Sequence, residues 1–341
     1  MNLLTVFSTG ANSIFPIVLL TFFGLLLRQR GFLSEEFVRM GNKLCFQYLL
    51  PAKLFVSAYG IEKLSDVPWS LVFFCMILLF LVFCLGLLTV PLTTKDARRK
   101  GVLLQSTFRS NTAIIGVSLA GILGGEPAAA VSAILTAMCV PLINVLAVLS
   151  LTIFVHPQGE TGRLKRTVRN VAKNPLVLAI LLGFGCILLR GVQQRLFGRV
   201  AFSLSGNLPF LYTALAQLGS IATPFALVML GGQFRFSAAG NMRREIVVGV
   251  LWRNVIAPVI CLGMVYLVST YTGLFSCTRT EYPALVALFA TPAAVSSAVM
   301  ASQMDNGGQL ATQIVVWSSI TSIFTMFAII CILAWTGLLL P

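Results

Sequence analysis

Apolar runs of about 20 residues recur along the whole chain, separated by short charged segments, and a run of that length wound as a helix spans the hydrocarbon core of a bilayer. No other feature restricts the fold as strongly. A transmembrane barrel would need roughly ten-residue strands alternating in polarity, and the runs show no such alternation. Hydropathy places spans near 10–29, 37–59, 69–92, 101–122, 127–155, 175–190, 208–234, 245–269, 282–303 and 309–338. The first run has no basic residue before it and ends in RQR, so it is expected to be retained as a span rather than cleaved.

The formal charge of +14 would suggest a nucleic-acid partner in a soluble chain, but with 57% hydrophobic residues it is first a question of membrane topology. With the N-terminus outside, fifteen Lys and Arg residues fall in inner loops and five in outer ones. The inner set includes Arg28, Arg30, Arg39, Lys95, Arg98, Arg99, Lys100, Arg163, Lys173, Arg235, Arg243 and Arg244. Basic residues accumulate on the cytoplasmic side, so both termini are expected outside, and no nucleic-acid partner is expected.

Catalytic and metal chemistry is not supported. His156 is the single histidine, and the eight cysteines show no metal-ligand spacing. All ten carboxylates, among them Glu35, Asp96, Glu126, Glu245, Glu281 and Asp305, fall in loops or at span ends. An intramembrane enzyme would need paired acids, a serine with a histidine, or a histidine cluster within the spans. No cofactor or metal is therefore expected. Proton or sodium coupling through a buried acid is not supported either, although carbonyls with Thr291, Ser296 and Ser297 can still offer a sodium site.

One stretch is poorly made for an ordinary span. Residues 109–125, RSNTAIIGVSLAGILGG, carry Arg109, Asn111, several hydroxyls and four glycines. Glycine costs about 1 kcal/mol against alanine inside a helix, and polar side chains in lipid need partners. Small residues for close helix packing account for it, and so does an interruption of the helix. Five spans followed by five more suggest an inverted internal repeat. A shift of 173 residues lays Pro51 on Pro224, and Leu119 on Pro292 in FATPAAVSSAVMASQ. Interrupted fourth and ninth spans would leave unpaired backbone ends at mid-membrane, where helix N-termini favour an anion.

Five segments in order are similar to the auxin efflux carrier family, which includes plant exporters and bacterial carboxylate permeases: NKLCFQYLLPAKLF from Asn42, NTAIIGVSLAG from Asn111, NPLVLAILLGF from Asn174, LGSIATPFALVMLGGQF from Leu218, and ATPAAVSSAVMASQMDN from Ala290. The resemblance implies an all-α integral membrane protein of ten helices in two inverted five-helix repeats, residues 1–155 and 175–341, joined by a cytoplasmic linker at 156–174. It implies a scaffold of spans one, two, six and seven, a mobile domain of the other six, an elevator mechanism and a homodimer in the plasma or bacterial inner membrane, in contact with lipid. The substrate would be a small organic anion, a carboxylate.

By the same resemblance Asn111 matches an asparagine that contacts the substrate carboxylate. Arg109, two residues earlier, is expected on the cytoplasmic approach, with snorkelling to the interface as its other reading. Thr112, Ser118, Thr291, Pro292, Ala293 and Leu50 complete the expected substrate site. One departure stands out: the family's fourth span has proline where this chain has Ser118, so the break there is expected to rely on Gly116, Gly121, Gly124 and Gly125. The other functions weighed are a sodium- or proton-coupled symporter and a non-transporting sensory or structural membrane protein.

Overall fold

The computed structural model describes residues 3–60, 68–155, 173–272 and 277–339, and these are helical throughout, with a single isolated β-bridge between Ser110 and Ala293. His156, most of the basic linker at 156–174, and Lys63 lie outside the described residues. In chain order the helices are α1 (Leu3–Gln29), α2 (Glu35–Leu44), α3 (Leu50–Tyr59), α4 (Trp69–Thr89), α5 (Ala97–Phe108), α6 (Val117–Ile153) and α7 (Pro175–Phe197). There follow α8 (Pro209–Gln233), α9 (Arg243–Leu251), α10 (Ala257–Tyr271), α11 (Tyr282–Phe289), α12 (Val295–Gln303) and α13 (Gly308–Trp335). Among the described residues, six helices are long and apolar enough to cross a membrane: Trp69–Leu92, Thr112–Ile153, Pro175–Phe197, Pro209–Gln233, Arg243–Tyr271 and Gly308–Trp335.

Local sequence explains where these helices start. Ser34 caps α2 by accepting from Phe37 N, with Glu35 and Glu36 in the first turn, where carboxylates complement the helix dipole. Asp96 caps α5 through the N–H groups of Arg98 and Arg99. Asn174 caps α7, and Pro175 follows at a position whose N–H would be unbonded in any case.

Three π-turns interrupt the α-helical winding, at Cys45–Leu49, Thr112–Gly116 and Trp252–Ile256. The first joins α2 to α3 just before Pro51, and the third joins α9 to α10 just before Pro258. A proline ring collides with the carbonyl four residues back, and the wider turn gives that carbonyl room.

Two packing groups emerge. Helices α1, α2–α3, α7 and α8 pack chiefly on one another, and α4, α5, α6 and α9–α13 form the other group. The α1–α8 contact is close because of Gly24 and Gly231: a Cβ at either would overlap the backbone of the facing helix, at Val228 and Thr21 respectively. In the second group α11 is buried on every side, which explains why it is apolar all round. The groups meet where α12 lies against α8, α2 and the π-turn Cys45–Leu49, and where α13 lies against α1.

The basic segments converge on one end of the bundle. Glu35 binds both Arg28, at 3.0 Å, and Arg235, joining three chain segments. Arg98 pairs with Asp305 at 3.1 Å and Arg99 with Glu245 at 3.0 Å. At the opposite end Arg190 lies over the Tyr59 ring and donates to the Tyr59 carbonyl.

Candidate functional site

The polar stretch 109–125 is where the helical winding fails, though not where Ser118 suggested. Helix α5 ends at Phe108, and Arg109 (φ −83°, ψ 88°) and Asn111 (φ −87°, ψ 33°) are non-helical. From Thr112 the chain coils again and runs unbroken through Ser118, whose side chain is exposed. Of the four glycines expected to permit unwinding, Gly125 alone breaks the helix, at φ +71°. The facing break lies between α11 and α12, where Pro292 lacks an N–H and disfavours helix at Thr291.

The two breaks satisfy each other. Asn111 N donates to Pro292 O at 2.8 Å and Ala294 N donates to Arg109 O at 3.1 Å, forming the bridge between Ser110 and Ala293. Ala293 N donates to Ser318 Oγ of α13 at 3.1 Å. Unpaired backbone groups cost several kcal/mol in a membrane, so this pairing is what allows both helices to stop. The segment facing Pro292 is thus Arg109–Asn111, so the break in the first half lies eight to ten residues before Leu119, the position that the 173-residue shift lays on Pro292.

Four half-helix ends surround the crossing, and the structure treats them unequally. The C-terminal ends of α5 and α11 are both held by Arg253, 1% exposed, whose guanidinium donates to Thr107 O at 3.3 Å and to Phe289 O. Each end carries about half a negative charge, so one arginine balances the two. At the N-terminal ends, the first N–H groups of Thr112–Gly116 and α12 have no intrahelical acceptor, and the positive half-charges there have no anionic side chain beside them among the described residues.

A cavity of about 60 Å³ opens at those N-terminal ends, enough for a few waters or a carboxylate headgroup. Asn111, Arg109, Asn144 and Ser296 line one side, Lys53 and Thr223 the other, with Leu50 and Ile143 among the apolar walls. Asn111 is 3% exposed, does not cap the following turn, and its Nδ2 has no hydrogen-bond partner. Arg109 is 2% exposed rather than on an approach or snorkelling to the interface. Its guanidinium donates to Gln105 Oε1 (3.1 Å), Asn144 Oδ1 (3.0 Å), Ser296 Oγ (3.1 Å) and Met300 Sδ (3.3 Å), all neutral. Lys53 Nζ donates to Thr223 Oγ1 at 2.6 Å. Among the described residues no Asp or Glu lines the cavity.

Of the other expected residues Leu50 alone lines this cavity. Thr112 Oγ1 is buried against Thr136 Oγ1 at 3.2 Å, and Thr291 Oγ1 donates to Ala287 O within its own helix. Pro292 and Ala293 act through their backbone in the bridge. Ser118 is not among the cavity's lining residues. Sequence reasoning left out Lys53, Asn144 and Thr223 as site residues. Lys53 had a signal, a basic residue inside a span, whereas nothing in spacing links it to Asn111. Of the hydroxyls weighed for sodium, Ser296 Oγ accepts from Arg109 and Ser297 Oγ donates to Ala294 O at 2.6 Å, which sets a fixed cation beside one of them.

A larger cavity of about 300 Å³ lies at the basic end, lined by Arg28, Arg39, Arg235, Asn42, Gln233 and Ser302 among others. It is open to the surface and away from the crossing, so the smaller cavity is the candidate site. Among the described residues no group of three or more His, Cys, Asp or Glu side chains can hold a metal, and all eight cysteines are free.

A protein-family model described as "Membrane transport protein", the auxin efflux carrier domain, matches residues 9–165 and 160–330. A search of curated proteins gave no match.

Proposed function

The chain belongs to the membrane transport protein family of auxin efflux carriers, and from that premise we propose that it carries small organic anions, carboxylates, across the membrane by an elevator movement. Membership makes it a multi-pass membrane transporter rather than a member of an enzyme family. The substrate reading rests on Asn111: a residue with a buried amide donor that has no partner lines a cavity with two cations and, among the described residues, no acid. An amide can donate to a carboxylate without adding a charge that would hold the anion too tightly for release.

In this reading the ten apolar stretches form two inverted five-helix repeats. The group α1, α2–α3, α7 and α8 is the scaffold, and the group containing α5, α6 and α12 is the mobile domain. The cavity lies on the seam, with Lys53 and Thr223 from the scaffold and Arg109, Asn111, Asn144 and Ser296 from the mobile side. Sliding one group past the other would expose the crossing to each face in turn. The clustered basic loops favour both termini outside by the positive-inside rule, and the exposed leucines of α7, such as Leu181 and Leu188, suit lipid or a second scaffold in a homodimer.

The test is thermal stabilisation of the purified protein by a panel of mono- and dicarboxylates, followed by uptake into proteoliposomes. Stabilisation and saturable uptake are expected. Failure of every carboxylate in both assays would reject the substrate class, and uptake that requires sodium would favour the symport alternative.

A further inference from the structure

We infer that the carrier crosses the membrane loaded in both directions, as an anion exchanger, because its mobile domain holds a buried cation whose counter-ion is the substrate. The inference rests on the elevator reading above and goes beyond it. Net transport requires the mobile domain to return empty, and the geometry makes that return the costly step.

The charge inventory at the crossing is uneven. Arg253 is held by Thr107 O and Phe289 O at two helix C-terminal ends, so its charge is largely offset whether or not the site is filled. Arg109 has no such offset. Its four partners are neutral, Asn111 and Ser296 place it beside two positive helix N-terminal ends, and no carboxylate among the described residues lines the cavity. A bound carboxylate supplies the missing negative charge. With the site filled, the moving unit carries a balanced pair through the low-dielectric core, and with it empty the unit carries an uncompensated positive centre. Lys53 does not alter this difference, because it sits on α3, which in the elevator reading belongs to the scaffold that stays in place.

Placing one uncompensated arginine at mid-membrane costs enough, on insertion scales, to slow an empty crossing about 100-fold relative to a loaded one. The full chain is reconstituted in proteoliposomes, with the potential clamped at zero by potassium and valinomycin. Uptake of radiolabelled succinate, lactate and benzoate is then compared with the same unlabelled anion inside and with sucrose inside. For an anion that is carried, uptake against internal anion is expected to exceed uptake against sucrose by about 100-fold. Arg109→Gln should weaken binding yet bring that ratio towards one at saturating anion, because the empty unit then carries no charge. Lys53→Met should weaken binding and leave the ratio as it was, which separates a charge on the moving unit from a charge in the site. If Arg109→Gln does not fold, the ratio in the unmodified protein decides alone.

Equal rates in the two arms would overturn exchange while leaving carboxylate transport intact. Absence of flux in both arms for all three anions would overturn exchange too. Thermal stabilisation by the same anions then tells whether the carboxylate site at Asn111 survives.

Discussion

At the scale of single residues, Asn111 and Ser118 make opposite predictions although both lie in one polar stretch. Asn111 Nδ2 is buried, unpartnered and at the cavity wall. Asn111→Ala should weaken the apparent affinity for the transported carboxylate about 10- to 100-fold, the range for losing a hydrogen bond to a charged group. Its melting temperature should hardly fall, since no intramolecular bond of that nitrogen is lost. Ser118 is exposed and lines no part of the cavity, so Ser118→Ala should leave uptake kinetics within about twofold, as expected of surface substitutions away from such features. A large loss there would mean the site extends along α6. The position of Asn111 was legible because a family motif carried it. Lys53 was not, because a separation of 58 positions hides the fact that α3 faces the crossing, and only packing reveals it.

The unit that matters among the elements is the pair of broken helices with the arginine between them. Arg253 sits on the π-turn Trp252–Ile256, and its guanidinium closes the C-terminal ends of both α5 and α11. The adjacent Asn254 donates to Ser318 O at 2.8 Å and Thr321 Oγ1 at 2.7 Å, tying the same turn to α13. Ser318 in turn receives Ala293 N of the bridge, so one continuous set of polar contacts supports the crossing from behind. Arg253→Met should destabilise the protein by about 1–3 kcal/mol for each carbonyl left unsatisfied, seen as a lower melting temperature in detergent. An unchanged melting temperature would mean that water or another donor takes over these ends. Proline at 292 announced the second break in the sequence. The first break carries no proline, and its place was misjudged because glycine permits a bend without requiring one, whereas the partner strand at Pro292 selects where the bend occurs.

At the scale of the whole molecule, the two packing groups are linked at the basic end by amide side chains. Gln233 Nε2 of α8 donates to Ser302 Oγ of α12 at 2.5 Å, and Gln309 and Gln313 of α13 donate to the carbonyls of Gln233 and Arg235. An elevator must break all of these, while a rocking of local gates need not. In a cysteine-free background, Gln233→Cys with Ser302→Cys should form a disulfide under oxidation that stops uptake, and reduction should restore it. Undiminished uptake by the crosslinked protein would reject the sliding of these two groups.

The sequence by itself determined that the chain is a helical membrane protein, which end of the bundle gathers its basic loops, and that Arg109 to Gly125 and Ala290 to Gln303 are costly in lipid and therefore special. Those are statements about transfer free energy and local winding, and each is written in consecutive residues. What only the tertiary structure decided is the charge balance of the crossing. Whether a buried arginine is offset depends on what surrounds it in space: Arg253 meets two helix C-terminal ends, and Arg109 meets neutral groups, two helix N-terminal ends and a cavity. Both read as arginines inside spans. The difference between them arises from contacts across 35 to 191 residues of chain, which no local pattern records.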